Sequence, residues 1–289
     1  MTTATPAPSP EHLPEPRPES GSHSSPDPRP GEPSGPRPDG VAANWLTLPG
    51  GDGLRLRCWW ARPAAAAPRA GVLVLPEVFG VNAWVRSVAE RLAAVGYGAL
   101  ALPIFARTAP DFECGYDEAG LRLGRQHRDA VTAEGLLADA ERAIGWLQSQ
   151  PGLVGRPVGC VGFCFGGHLA LLAATLPAVA ACCDFYGARV SSFRPGGGPP
   201  TLALLPAVAG DLLCFCGDRD PLMPPQERAA IAAALAAVQQ QGHERRLLVA
   251  AGAGHGYMCE ARADFQSEAS RQGWDAMLGL FGRTLTPAA

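Results

Sequence analysis

The segment Val161-Gly162-Phe163-Cys164-Phe165-Gly166-Gly167 joins one apolar run, residues 157–163, to another, residues 166–176. A nucleophile flanked by glycines at a strand-to-helix turn has the pattern of a nucleophile elbow. The glycines let strand and helix approach closely, and the residue between them is lifted above the sheet edge. The helix N-terminus then directs its free N–H groups and its dipole at the thiol, which favours a thiolate. The backbone N–H of Phe165 becomes one candidate oxyanion donor. For this segment taken alone, a structural cysteine in a Gly-rich turn is the alternative.

A thiol that attacks a carbonyl needs a base, and the base needs an acid to orient it. Downstream of an elbow of this kind the acid comes first and the base second. The apolar run 212–216 (LLCFC) leads into Gly217-Asp218-Arg219-Asp220-Pro221, and the last such run leads into Gly252-Ala253-Gly254-His255-Gly256. Asp220 and His255 fit both order and position. Asp218 is the alternative acid. Asp220 could instead cap the helix that Pro224 and Pro225 open, and His255 could be an isolated loop histidine. Of the other histidines, His12 and His23 lie in a Pro-rich segment, His127 and His243 in or near polar helical stretches, and His168 in the helix after the elbow.

Positioning these residues requires strands that end at one edge. Short β-branched or apolar runs, residues 71–75 (GVLVL), 98–102 (GALAL), 157–163, 179–185, 212–216 and 246–250, alternate with helical patterns over 83–95, 121–150, 166–176, 225–241 and 265–281. Residues 54–62 alternate apolar and polar at first, as an antiparallel edge strand would. Strand–helix alternation of this kind predicts a single α/β domain over residues 41–289, its mostly parallel sheet covered by helices on both faces. Residues 103–120 and 191–200 are the candidate lids. Residues 1–40 hold 12 of the 29 prolines and almost no large apolar side chain, so a disordered Pro-rich tail is expected there.

Composition excludes several functions. A net charge of −3 leaves no basic surplus for nucleic acid. All 24 cations are arginine, so Schiff-base and P-loop lysines are ruled out. The nine cysteines mostly sit in apolar runs, as reduced thiols do, and no Cys–His spacing resembles a zinc site. No signal-peptide pattern is visible and no apolar run is long enough for a membrane helix, so a cytoplasmic protein is expected.

Assembled, these residues resemble the dienelactone hydrolase (carboxymethylenebutenolidase) family of the α/β-hydrolase fold over about residues 44–285. Gly162-Phe163-Cys164-Phe165-Gly166-Gly167 is similar to that family's G-x-C-x-G-G, and Pro76-Glu77-Val78-Phe79-Gly80-Val81-Asn82 to its E-x-[FW]-G-[VL]-N. The resemblance implies that Glu77 contacts the resting thiol and helps to form the thiolate when substrate arrives. It also implies that the N–H of Val78 is the second oxyanion donor and that Arg107 binds a substrate carboxylate. The family's second carboxylate-binding arginine falls at Cys259, with Arg262 nearby but out of register.

The expected activity is therefore cysteine-dependent hydrolysis of a small ester or lactone through an acyl-enzyme on Cys164. Cys164, Asp220, His255 and Glu77 are the catalytic set, no metal or organic cofactor is expected, and the expected state is a monomer. The rival is a non-catalytic α/β-hydrolase-fold binding protein that docks partners through its Pro-rich tail. A redox role for Cys164 lacks a C-x-x-C arrangement.

Overall fold

The computed structural model describes residues 37–239 and 242–286. The expected Pro-rich tail lies outside the described residues except for its last four, where Arg37 reaches Glu90 at 3.4 Å.

Eight strands form one sheet: β1 (Val41–Pro49), β2 (Arg55–Pro63), β3 (Gly71–Leu75), β4 (Gly98–Ala101), β5 (Val158–Phe163), β6 (Val179–Phe185), β7 (Asp211–Gly217) and β8 (Arg245–Ala250). Their spatial order is β1-β2-β4-β3-β5-β6-β7-β8. β1 and β2 are antiparallel, as are β2 and β4, and every later pairing is parallel. The antiparallel strand expected at the edge is β2, but β1 pairs along its full length and takes the edge itself.

The helices are α1 (Ala83–Ala94), α2 (Glu118–Arg128), α3 (Ala133–Ser149), α4 (Phe165–Ala173), α5 (Pro225–Ala237) and α6 (Ser267–Thr284). The helical region expected over 121–150 is two helices, because each has its own N-cap. Asp117 accepts from Gly120 N–H at 2.6 Å and Thr132 from Gly135 N–H at 3.1 Å, and each bond satisfies a donor that a helix start leaves free.

Strand side chains alternate between two cores. On β3, Leu73 and Leu75 join the core under α3, α4 and α5, while Val72 and Val74 join the core under α1 and α6. Burial on both faces explains why β3 and β5 read as continuous apolar runs. Each fully buried Leu or Val contributes roughly 1.5–3 kcal/mol. That rigidity holds the C-terminal ends of β3, β5, β7 and β8 in one sheet, and every candidate residue except Arg107, which comes after β4, follows one of those ends. Among the described residues no helix is long and apolar enough to cross a membrane.

Candidate active site

Cys164 stands between β5 and α4 at φ +55° and ψ −121°, a conformation that side-chain-bearing residues seldom adopt. Such a residue costs about 1–3 kcal/mol and persists where its surroundings dictate it. Here they do. Its N–H donates to the Phe185 carbonyl at 2.9 Å, and its carbonyl accepts from Gly167 N–H at 2.9 Å and from His168 N–H at 3.2 Å. The flanking glycines are needed for close approach. A Cβ on Gly162 would overlap the Gly166 carbonyl, and one on Gly166 would overlap the carbonyls of Leu75 and Pro76.

The loop after β7 carries Asp220, which is buried. Its Oδ1 accepts from Leu222 N–H at 2.8 Å, and its Oδ2 from His255 Nδ1 at 2.8 Å. Asp220 caps no helix: the N-cap of α5 is Pro224, without a side-chain bond. Asp218 points elsewhere, accepting from Gly252 N–H at 2.7 Å. With Nδ1–H donated to Asp220, His255 leaves Nε2 for the nucleophile. That atom is buried without a hydrogen-bonding protein partner in good geometry, yet Cys164 is close enough for its charge to act on the ring. Burial pulls the His255 pKa down, but the charge of Cys164 and the bond to Asp220 outweigh it and raise it to about 10.

Glu77, just after β3, is fully buried. Its Oε1 accepts from Arg262 Nη1 at 2.8 Å, and its Oε2 has no hydrogen-bond partner. Burial raises its pKa, while the charges of Arg262 and His255 oppose that rise. The resemblance implied a contact with the resting thiol; the structure pairs the carboxylate with Arg262 instead. Arg262 reaches that place because Gly256, at φ +85°, leaves no Cβ where its guanidinium lies. Cys259, at the position expected for an arginine, is buried in the core under α1 and α6, with its thiol pushed up to about 12, first by burial.

Val78, Phe165, Cys164, His255 and Arg262 line one cavity of about 390 Å³. The N–H of Phe165 opens α4, where no intrahelical acceptor exists. Neither it nor the N–H of Val78 has a protein acceptor among the described residues, so two donors are free beside the thiol. No three His, Cys, Asp or Glu side chains converge as a metal site among those residues.

The expectation for Arg107 needs correction. Its Nη2 donates to Asp139 of α3 at 2.7 Å, and it does not line the cavity. Residues the sequence did not single out do line the cavity: Arg125, Arg128, Arg189 and Phe193. His168 also reaches it, but is held as a structural tie. Its Nδ1 meets the Ala188 carbonyl at 2.9 Å and its Nε2 the Thr201 hydroxyl at 2.7 Å, and burial lowers its pKa to about 4.

The model of the dienelactone hydrolase family matches residues 56–285. A provisionally named carboxymethylenebutenolidase of Synechocystis sp. (strain ATCC 27184 / PCC 6803 / Kazusa) is 35% identical over 241 residues, 83% of this chain and 96% of its own. The carboxymethylenebutenolidase of Pseudomonas putida is 31% identical over 168 residues, 58% of this chain and 67% of its own. The crystal structure of a provisionally named dienelactone hydrolase from Klebsiella pneumoniae subsp. pneumoniae MGH 78578 superposes with a TM-score of 0.74 at 25% identity, covering 84% of this chain and 99% of that one. The chain belongs to the dienelactone hydrolase family of the α/β-hydrolase superfamily and is a hydrolase of carboxylic ester or lactone bonds.

Proposed function

We propose that this hydrolase cleaves a small ester or lactone through an acyl-enzyme on Cys164, with Asp220 and His255 completing a catalytic triad. One observation carries the reading. The strained elbow presents Cys164 to the same cavity as His255, whose imidazole Asp220 holds at 2.8 Å. His255 Nε2 takes the thiol proton, and Sγ attacks the carbonyl carbon. The oxyanion forms beside the N–H groups of Val78 and Phe165. The C–O bond then breaks, and the leaving oxygen takes the proton from Nε2; in a lactone that oxygen stays tethered to the acyl group. Water, deprotonated by Nε2, attacks the thioester and releases the acid and the thiol. Glu77 adds negative charge near the imidazolium and holds Arg262 at the cavity wall.

The substrate is proposed as a small molecule, the enzyme as a monomer, and its setting as the cytoplasm, where reducing conditions keep Cys164 a thiol. The test is hydrolysis of a carboxylated dienelactone and of an uncharged lactone by the wild type and by Cys164→Ala. Turnover that falls at least about 10³-fold in the variant on every accepted substrate supports the mechanism. Turnover retained in a folded Cys164→Ala variant overturns it.

A further inference from the structure

Phe79, Leu121, Phe165, Phe193 and Leu222 give the cavity a largely apolar wall. A pocket of this make-up takes apolar groups and orients them with few polar contacts. Two of these side chains come from outside the strand ends that carry the triad. Leu121 belongs to α2, and Gly124 lets that helix lie directly on the site, because a Cβ there would overlap the Val78 carbonyl. Phe193 comes from the turns after β6, where neither a strand nor a helix fixes it.

What fixes Phe193 is a set of hydrogen bonds that leads back to the nucleophile. His168 lies one turn of α4 beyond Cys164, and its N–H donates to the Cys164 carbonyl at 3.2 Å. Its buried ring, with a pKa lowered to about 4, is neutral at pH 7, so one nitrogen donates and the other accepts. The Ala188 carbonyl can only accept, so Nδ1 carries the proton at 2.9 Å and Nε2 accepts from the Thr201 hydroxyl at 2.7 Å. These two bonds bracket the segment that holds Phe193. Within it, Thr201 N–H donates to the Phe193 carbonyl at 3.1 Å, and Phe193 N–H to the Arg189 carbonyl at 2.9 Å. The Phe193 ring then stands edge-on to His168, with centres 6.0 Å apart and planes at 78°, and the Arg189 guanidinium lies 4.6 Å from its centre. Arg189 itself is held at φ +65°, an unusual conformation for a residue with a side chain.

We propose that Phe193 is a specificity-determining residue that receives an apolar acyl chain of the substrate, and that His168 and Thr201 are the positioning residues that hold its ring there. The inference rests on the mechanism proposed above and names the substrates as esters of apolar carboxylic acids. In that mechanism the leaving oxygen takes its proton from His255, so the alcohol side faces the loop after β8. The acyl chain extends the other way, past Phe165 and His168 toward Phe193. One methylene in an apolar pocket changes kcat/KM by about 10- to 200-fold.

The experiment compares kcat/KM for 4-nitrophenyl hexanoate with that for 4-nitrophenyl acetate, using the full chain. The wild type is expected to prefer the hexanoate. The ratio of the two values falls at least tenfold in Phe193→Ala, chiefly through KM of the hexanoate. It falls at least threefold in Thr201→Val and in His168→Leu, and Thr201→Ser restores it. Thr175→Val, which removes a hydroxyl just after α4 and away from the cavity, moves the ratio less than twofold. Absence of a hexanoate preference in the wild type, or a ratio that moves less than twofold in Phe193→Ala, overturns the acyl subsite. A merely structural tie lowers Tm in Thr201→Val and leaves the ratio within twofold of the wild type, and that result overturns the positioning role even where His168→Leu does not fold. Failure of the mechanism is seen separately, as ester hydrolysis that survives in Cys164→Ala.

Discussion

Asp220→Asn isolates the part of the site that orients the base. Both carboxylate oxygens of Asp220 are acceptors: Oδ1 from Leu222 N–H and Oδ2 from His255 Nδ1, each at 2.8 Å. An asparagine has one acceptor oxygen, so its NH2 must face one of those two donors. A hydrogen bond to a charged group contributes about 1.5–3 kcal/mol, and a buried donor left unpaired costs about 1–3 kcal/mol. Together they come to about 2.5–6 kcal/mol, which at 1.4 kcal/mol per decade is roughly a 10²- to 10⁴-fold change. The loss falls mainly on kcat, because the negative charge matters most when His255 carries a proton. Loss of the carboxylate also removes one of the causes that hold the His255 pKa near 10. If His255 is the proton donor to the leaving oxygen, activity falls as pH rises through that pKa, and the alkaline limb moves to lower pH in the variant. The assay is a pH profile of kcat and kcat/KM on the preferred ester, with circular dichroism to show that the variant is folded. A folded Asp220→Asn within threefold of the wild type would refute the assignment, the more so if Asp218→Asn were the inactive variant.

Three further outcomes follow from the geometry. Glu77→Gln removes one partner of a buried ion pair whose loss costs about 3–5 kcal/mol, toward the lower end here because Arg262 keeps some solvent contact. Thermal unfolding should move down, and adding Arg262→Met should recover most of the shift; no recovery would show that the pair does not set the loss. Gly162→Ala places a methyl group against the Gly166 carbonyl, a backbone atom that cannot move aside, so activity should fall even where soluble protein is obtained; wild-type kcat/KM in that variant would contradict the elbow geometry. His168 titrates near pH 4 when folded against an ordinary 6.5. The unfolded chain therefore binds the proton first, and up to about 3 kcal/mol of stability is present above pH 6.5 and lost as pH falls toward 4. Urea unfolding at pH 7 and pH 4.5 should show that loss in the wild type and a smaller one in His168→Gln.

Much of the site was legible because each of its parts is local in sequence. The elbow, the loop after β7 and the loop after β8 each follow an apolar strand, and a parallel sheet brings those ends together. The choice between Asp218 and Asp220 was open, since two carboxylates in one turn differ only in direction. Asp218 accepts from Gly252 N–H, and it is Asp220 that faces His255. The surroundings of Cys259 and Arg262 were not legible because the chain turns back twice after His255: Cys259 N–H bonds the Gly256 carbonyl and Arg262 N–H the Cys259 carbonyl, both at 3.0 Å. Those turns bury Cys259 and return Arg262 to Glu77. Arg107 was misread because its partner, Asp139, lies on a different helix, 32 residues away. Arg125 and Arg189 gave no signal among 24 arginines. The nearest clue was Gly124, whose close approach to Val78 depends on a helix packing that the sequence pattern does not reveal.

In the proposed mechanism the acyl group passes through the sulfur of Cys164, and acid quenching during turnover traps it there. The wild type is mixed with a slowly released ester, quenched within the first turnovers, digested and analysed by mass spectrometry. One acyl adduct is expected, on the peptide that contains Cys164, absent when the ester is omitted and absent in Cys164→Ala. Steady hydrolysis with no adduct on that peptide, or an adduct on another residue that persists in Cys164→Ala, would contradict it.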